Sequence, residues 1–233
     1  MPHQSVETVR TRIAESARAS GRRTDDIHLL AVSKGRSIDD MLRLREAGIL
    51  DFAENRSSDL HEKARHAALQ TVRWHFIGEL QPMECAVIAA SADVVHSVYR
   101  EDIADLLSSG LKATNRRLEV FLQVNLARES AKGGVECSHW EEDQTQGAAL
   151  LALTRHVVTL PGLAVAGLMT IAPAGLPQND LRTLFARTRA LLATARAQES
   201  RLGASLSMGM SSDFEVAIEE GATHVRLGSI LFD

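Results

Sequence analysis

The sequence predicts an α/β fold in which eight parallel strands, each followed by a helix, close into a single (β/α)8 barrel. Eight strand-like segments alternate with helical patterns along the 233 residues, with few long linkers, no low-complexity tract and no change in composition. An open doubly wound sheet is the alternative. It is disfavoured because Ser33-Lys34-Gly35-Arg36, after the first strand, lacks the three glycines of a dinucleotide-binding turn. We therefore expect one barrel domain over residues 1–233.

The first unit consists of an opening helix, a strand and a second helix. Residues 3–21 carry apolar side chains at helical spacing and end at a glycine. The uninterrupted apolar run 29–32 predicts a strand buried on both faces. A helix is expected after Ser37, with Asp39 and Asp40 in its first turn. Because no long helix follows the last strand, the opening helix is expected to cover that side of the barrel.

Seven further strands follow in order. They are predicted at 49–53, 72–77, 93–97, 118–124, 163–169, 205–207 and 224–227, with helices between them, the first of these over 57–69. The clearest helical stripe runs from Leu181 to Ala195, and we expect it to pack on the barrel. The longest irregular stretch, 127 to about 136, contains Lys132, which is interpreted as a solvated charge.

Composition limits the classes of partner. The formal net charge is -4 with both signs interspersed, which indicates neither a nucleic-acid-binding nor a membrane-binding surface. Cys85 and Cys137 match no metal or disulfide spacing, and no segment has the length of a membrane span or the apolar core of a signal peptide. We expect a soluble cytoplasmic protein that binds small molecules and no metal.

Lys34 stands at the carboxyl end of the first strand, where the active sites of such barrels lie. If desolvation lowers its pKa, a lysine amine becomes nucleophilic towards a carbonyl carbon. A lysine that extends into solvent is the simpler alternative, and this segment alone does not decide between them. The residues just past other strands are expected to converge on the same place: Asn55, His75, Met169, Ser207 and Arg226.

The last two strands carry the pattern of an anion site. Gly209 can adopt backbone angles that direct successive amides at one point, and Ser212 and Glu215 are spaced as a capping box for the next helix. One unit later the chain supplies a guanidinium, a glycine and a hydroxyl at Arg226, Gly228 and Ser229. The alternative is an ordinary helix cap beside an arginine that pairs with a carboxylate.

In a closed barrel the first strand lies beside the eighth, so Lys34 and the anion site are expected to be neighbours. Pyridoxal 5'-phosphate explains both features together, since it carries an aldehyde for the amine and a phosphate of about two negative charges.

Several segments then resemble a known series of motifs: LLAVSK, FAENR, WHFIG, GLMTIAP and LSMGMSSDFEVAIEEGATHVRLGS. They are similar to the pyridoxal phosphate homeostasis proteins, also described as proline synthase co-transcribed homologs. The resemblance covers nearly the whole chain. It implies an alanine racemase N-terminal-type barrel (pyridoxal phosphate fold type III) without a C-terminal β-domain, in which the cofactor is held as a Schiff base.

Carried over by position, the resemblance assigns cofactor contacts and no catalytic residue. Lys34 matches the Schiff-base lysine. Ser207, Gly209, Arg226, Gly228 and Ser229 match the cofactor-phosphate region, and Asn55, His75 and Met169 match residues around the ring. The chain departs from the usual pattern at Ala53, where glycine is usual, at Met83-Glu84 in place of Asn-Lys, at Tyr99 in place of aspartate and at Ser229 in place of threonine.

A carrier is the favoured function, because racemisation with this cofactor requires two placed acid-base groups. Lys34 could be one. The alanine racemases take the other from a tyrosine of a separate β-domain, and the single tyrosine of this chain is Tyr99. We expect a non-catalytic, monomeric protein of pyridoxal phosphate homeostasis, with apo forms of pyridoxal phosphate enzymes as acceptors. A weak racemase or lyase, and a Schiff-base aldolase whose substrate carries the phosphate, remain open.

Overall fold

A parallel barrel forms the centre of the computed structural model, which describes residues 2–112, 116–127 and 133–232. The strands are β1 His28–Val32, β2 Asp51–Glu54, β3 Arg73–Phe76, β4 Val94–Val98, β5 Leu118–Asn125, β6 Val135–Glu136, β7 Leu163–Met169, β8 Ser205–Ser207 and β9 His224–Leu227. Eight of them close in the order β1-β2-β3-β4-β5-β7-β8-β9, and β9 pairs back onto β1. The predicted eight-stranded parallel barrel is confirmed.

Helices surround the barrel. They are α1 Pro2–Ala19, α2 Ile38–Glu46, α3 Ser57–Ala64, α4 Cys85–Ser91, α5 Glu101–Leu111, α6 Gln144–Val157, α7 Gln178–Gln198, α8 Phe214–Glu219 and α9 Ser229–Phe232. The opening helix α1 packs against α2, α8 and α9, so it covers the side next to the last strand as expected. Within the described ranges, no helix combines the length and apolar character needed to cross a bilayer.

Local sequence determines where α2 begins. The Ser37 side chain accepts a hydrogen bond from the Asp40 backbone N–H, and the Asp40 carboxylate accepts one from the Ser37 backbone N–H, each at 3.2 Å. This capping box satisfies two amide donors that the first turn would otherwise leave unpaired. The turn before it, which carries Lys34, is thereby anchored at its far end.

Two elements differ from the prediction. The helix expected over 57–69 ends at Ala64 and is followed by a short 3-10 turn, Ala67–Leu69, because the His66 side chain accepts a hydrogen bond from the Ala68 backbone N–H and caps that turn. The small strand β6 was not predicted. It pairs with the end of β5 inside the stretch expected to be irregular. Lys132 lies outside the described residues.

The main apolar core lies between the barrel wall and the helices, whereas the barrel interior is partly polar. The interior contains two small apolar groups, one around Leu30, Val32 and Ala53 and one around Val94, Phe121 and Met169. Buried polar side chains occupy the rest of it: His75, His96, Ser207, His224 and Arg226. A polar interior is unusual for a layer that branched apolar side chains normally fill.

Candidate functional site

A cavity of about 700 Å³ opens at the carboxyl ends of the strands. Six of the nine residues assigned to cofactor binding from the sequence line it: Lys34, Asn55, Met169, Arg226, Gly228 and Ser229. The other three, His75, Ser207 and Gly209, are buried nearby and do not line it. An amine and a guanidinium therefore face the same space.

Lys34 lies in the turn after β1, and its side chain is exposed to the cavity. The next residue, Gly35, has a φ of +69°, which turns the chain back towards α2. Within the described part of the chain, no residue accepts a hydrogen bond from the Lys34 amine. The amine is exposed to solvent in the protein alone, so a ligand that fills the cavity would have to exclude the water around it.

Every polar group of Ser33, the residue before Lys34, has a partner. Its backbone N–H donates to Ala53 O at 2.9 Å, its hydroxyl donates to Glu54 Oε1 at 2.7 Å, and its carbonyl accepts from Lys63 Nζ at 2.9 Å. The base of the Lys34 turn is thus held by β2 and α3.

Glu54 and Lys63 form a buried ion pair that the sequence analysis missed. Their side chains are 0% and 11% exposed, Nζ lies 2.5 Å from Oε1, and Glu54 Oε2 has no hydrogen-bond partner among the residues that the structure describes. The alternation of β2 was the available signal. Phe52 faces the helices, so Glu54, two residues later, points to the same side and needs a cation there.

Arg226 is the buried cation of the site. Its Nη1 donates to Ser207 Oγ at 2.7 Å and its Nη2 donates to Thr170 O at 3.0 Å. Burial lowers the pKa of Arg226 to about 10, which leaves the guanidinium charged at neutral pH. A charged donor group held at the wall of a cavity favours a ligand with an anionic or hydrogen-bond-accepting group.

His75 and Ser207 belong to a hydrogen-bonded row beneath the cavity. Asp51 Oδ1 lies 2.9 Å from His75 Nε2, His75 Nδ1 lies 2.9 Å from His96 Nε2, and His96 Nδ1 lies 2.8 Å from Ser207 Oγ. Burial lowers the pKa of His75, and it lowers that of His96 well below the usual value. Both imidazoles are therefore neutral at physiological pH, and Ser207 joins the row to Arg226.

Gly209 shapes the loop after β8. Its φ is +96°, and a Cβ at this position would lie 2.7 Å from Ala217 Cβ on α8. Its carbonyl accepts from the Arg226 backbone N–H at 3.0 Å. Glycine is therefore required here for close packing of the loop on α8.

The predicted capping box of Ser212 and Glu215 is wrong. The N-cap of α8 is Asp213, and its Oδ1 accepts from the Met210 backbone N–H at 2.6 Å. Glu215 pairs with Arg12 of α1 instead. This contact joins α8 to the opening helix, and the spacing of residues along the chain does not reveal it.

Two glycines at the cavity have opposite reasons for being glycine. A Cβ at Gly78 would lie 2.1 Å from Asn55 O, so only glycine lets the two backbones approach. A Cβ at Gly228 would meet no neighbouring atom closer than 3.9 Å. Since Gly228 lines the cavity, the missing side chain there leaves room for a ligand that comes close to the backbone.

The rim contains residues that departed from the resemblance. Tyr99 donates from its hydroxyl to Glu79 Oε1 at 3.5 Å, and burial raises the pKa of Tyr99. Glu79 lines the cavity, whereas Tyr99 does not. Met83 is 89% exposed, and the Glu84 side chain accepts from the Ser57 hydroxyl at the start of α3, so this altered pair faces away from the cavity.

Known proteins resemble the chain over nearly its whole length. A family model described as "Alanine racemase, N-terminal domain" matches residues 10–233. A pyridoxal phosphate homeostasis protein of Pseudomonas aeruginosa is 39% identical over 230 residues, which is 98% of this chain and 94% of that protein. The structure of PipY from Synechococcus elongatus without PLP has a TM-score of 0.86 and 30% identity, with 100% of both chains covered. The structure of PipY with PLP bound has a TM-score of 0.81 and 32% identity, and it covers 95% of this chain and 100% of PipY.

Proposed function

The chain belongs to the family of the alanine racemase N-terminal domain and, within it, to the pyridoxal phosphate homeostasis proteins, and from this membership we propose that it binds pyridoxal 5'-phosphate and acts in the cell's supply of that cofactor.

One observation carries the proposal: the exposed Lys34 amine and the buried Arg226 guanidinium face one cavity of about 700 Å³. Lys34 would hold the ligand through its aldehyde, because an amine can condense with a carbonyl carbon with loss of water. Arg226 is a fixed cation, so it favours a ligand that carries an acceptor or an anion at a distance from that aldehyde.

The remaining lining residues have separate parts in holding the ligand. Gly228 and Ser229 would supply an unobstructed backbone and a hydroxyl for the phosphate, next to Ser211 of the preceding loop. Asn55 and Met169 would contact the ring, and the missing side chain at Gly78 lets its backbone lie against the Asn55 carbonyl. When bound, the cofactor supplies a reactive aldehyde and an electron-accepting ring.

We place the protein among carriers, and not among catalysts, because no tyrosine shares the described cavity with Lys34. Tyr99, the single tyrosine in the sequence, bonds to Glu79 and does not line the cavity. Glu79, which accepts that bond, is a carboxylate exposed to solvent at the rim. Such an open site suits release of the cofactor to apo enzymes in the cytoplasm by a monomeric protein.

Transfer to an acceptor tests this function. Protein loaded with pyridoxal phosphate is mixed with an apo form of a pyridoxal phosphate enzyme, and recovery of the acceptor's activity is compared with recovery from an equal concentration of free cofactor. We expect the loaded wild type to restore the acceptor's activity. With Lys34→Ala, we expect the acceptor to recover at the same rate as with free cofactor alone. Enzyme-like racemisation or decarboxylation of an amino acid by the loaded protein, lost in Lys34→Ala, would contradict a carrier.

A further inference from the structure

A continuous row of hydrogen bonds crosses the barrel interior from one end to the other. It begins at Asp51, the first residue of β2, whose side chain is 24% exposed at the amino-terminal face. It continues through His75 of β3, His96 of β4 and Ser207 of β8, and it ends at Arg226 in the cavity wall. Each of its four links measures between 2.7 and 2.9 Å.

The two ends determine the direction of every hydrogen bond in the row. A guanidinium can only donate, and a carboxylate can only accept. Arg226 therefore donates to the Ser207 oxygen, and the Ser207 hydroxyl donates to His96 Nδ1. Because a neutral imidazole has one donor and one acceptor nitrogen, His96 Nε2–H donates to His75 Nδ1, and His75 Nε2–H donates to Asp51. Both imidazoles are held in the Nε2–H tautomer.

The interior around the row offers few alternatives. His75, His96 and Ser207 are each 0% exposed, and the His96 ring stacks on Phe121 with centroids 4.6 Å apart and an interplanar angle of 8°. Solvent does not reach these three side chains, so each of them depends on its neighbours in the row for its hydrogen bonds. If Asp51 were removed, both imidazoles could reverse. His96 would then donate to Ser207, whose oxygen would receive two donors and whose own proton would need another acceptor.

We propose that Asp51, His75 and His96 are positioning residues that hold Ser207 as an acceptor for Arg226 and so direct the guanidinium towards the ligand. This inference rests on the proposed function, because the ligand is the cofactor. It assigns a role to a carboxylate at the opposite end of the barrel from the site. It also gives a part in the site to His75 and Ser207, which do not line the cavity.

The test measures the tautomers of the two imidazoles and the affinity of the protein for the cofactor. Long-range ¹H–¹⁵N spectra report which imidazole nitrogen carries the proton, and titration with pyridoxal 5'-phosphate gives the Kd. Asp51→Ala is compared with wild type and with Asp25→Ala, which removes an exposed carboxylate that lines the same groove at the amino-terminal face. Ser207→Ala breaks the row at the Arg226 end and serves if Asp51→Ala folds poorly.

We expect His75 and His96 to be in the Nε2–H form in the wild type and in Asp25→Ala. Asp51→Ala should move His75 towards the Nδ1–H form and weaken cofactor binding about tenfold, a loss typical when a supporting hydrogen bond is removed from a liganded site. Ser207→Ala should weaken binding by a similar factor. A tautomer change in Asp51→Ala at unchanged Kd would overturn the proposal, and so would Nδ1–H imidazoles in the wild type. Failure of the proposed function would look different, because the wild type itself would then not bind the cofactor.

Discussion

Lys63 Nζ lies 2.5 Å from Glu54 Oε1, behind the turn that carries Lys34. Both side chains also bond to Ser33, at its carbonyl and its hydroxyl respectively. A buried ion pair therefore supports the residue next to the reactive amine. The pair is within the protein and not in the cavity, so its loss should change stability first.

We predict that Lys63→Met lowers the free energy of unfolding by about 3 kcal/mol, because it leaves the Glu54 carboxylate buried without its cation. Urea denaturation measures the loss. The double variant Lys63→Met with Glu54→Gln should recover most of it, since no unpaired charge remains. A single variant as stable as the wild type would show that the pair is not essential to the fold.

We predict that stability falls as the pH drops from 7 to 5. The unfolded chain protonates its histidines near pH 6.5, whereas burial lowers the pKa of His224 to about 2 and also lowers the pKa values of His75 and His96. The unfolded state thus binds more protons below pH 6.5, so acid favours it by about 1.4 kcal/mol per pH unit for each histidine that stays neutral.

Urea denaturation at several pH values checks this dependence. In His224→Gln the slope should be smaller by the contribution of one histidine. Equal stability at pH 7 and pH 5 would contradict buried neutral imidazoles.

Gly228 and Gly209 form a matched pair for substitution by alanine. Gly228→Ala should keep the unfolding free energy within about 0.5 kcal/mol of wild type, because its Cβ has space among the protein atoms, but it should weaken cofactor binding. Gly209→Ala should lower the unfolding free energy by about 2 kcal/mol, because the φ at this position is +96° and the new Cβ would overlap Ala217. Denaturation and titration of both variants measure the two effects. Tight cofactor binding by Gly228→Ala would place the ligand elsewhere.

The two cysteines should be unreactive in the folded protein. Both are buried, and burial raises the pKa of Cys85 to about 11 and that of Cys137 to about 12. Since the thiolate is the reactive form, alkylation at pH 8 should be slow in buffer and fast for both thiols in urea. Mass spectrometry of the alkylated protein counts the labels. Rapid labelling of either cysteine in buffer would indicate that its segment opens.

Much of the barrel was predictable, because apolar residues form short uninterrupted runs in buried parallel strands and recur at helical spacing in the helices between them. The strands 163–169, 205–207 and 224–227 match the observed bounds of β7, β8 and β9. The strand β6 was not predictable in this way, because two residues give no period and its pairing with β5 is a tertiary contact. That residues 1–233 form a single domain stays a prediction.

The residues of the site at the carboxyl ends of strands were predictable, whereas the buried contacts beneath the cavity were not. Lys34 and Arg226 follow from their positions at the carboxyl end of the barrel. His75 was expected to converge on the site from the end of its strand, but it lies beneath the cavity, because its bond to His96 depends on the barrel's radius and stagger. The Glu54–Lys63 pair likewise joins two elements whose contact no local pattern reveals.

The most direct test of the central claim is the visible absorbance of the protein with added pyridoxal 5'-phosphate, followed by borohydride reduction and peptide mass spectrometry. We predict an absorbance band for the bound aldehyde in the wild type and in Lys112→Ala, which alters an exposed lysine away from the cavity. Reduction should fix the cofactor's mass on Lys34, and Lys34→Ala should lack both the band and the label. A label on another lysine, or a band that persists in Lys34→Ala, would contradict the account.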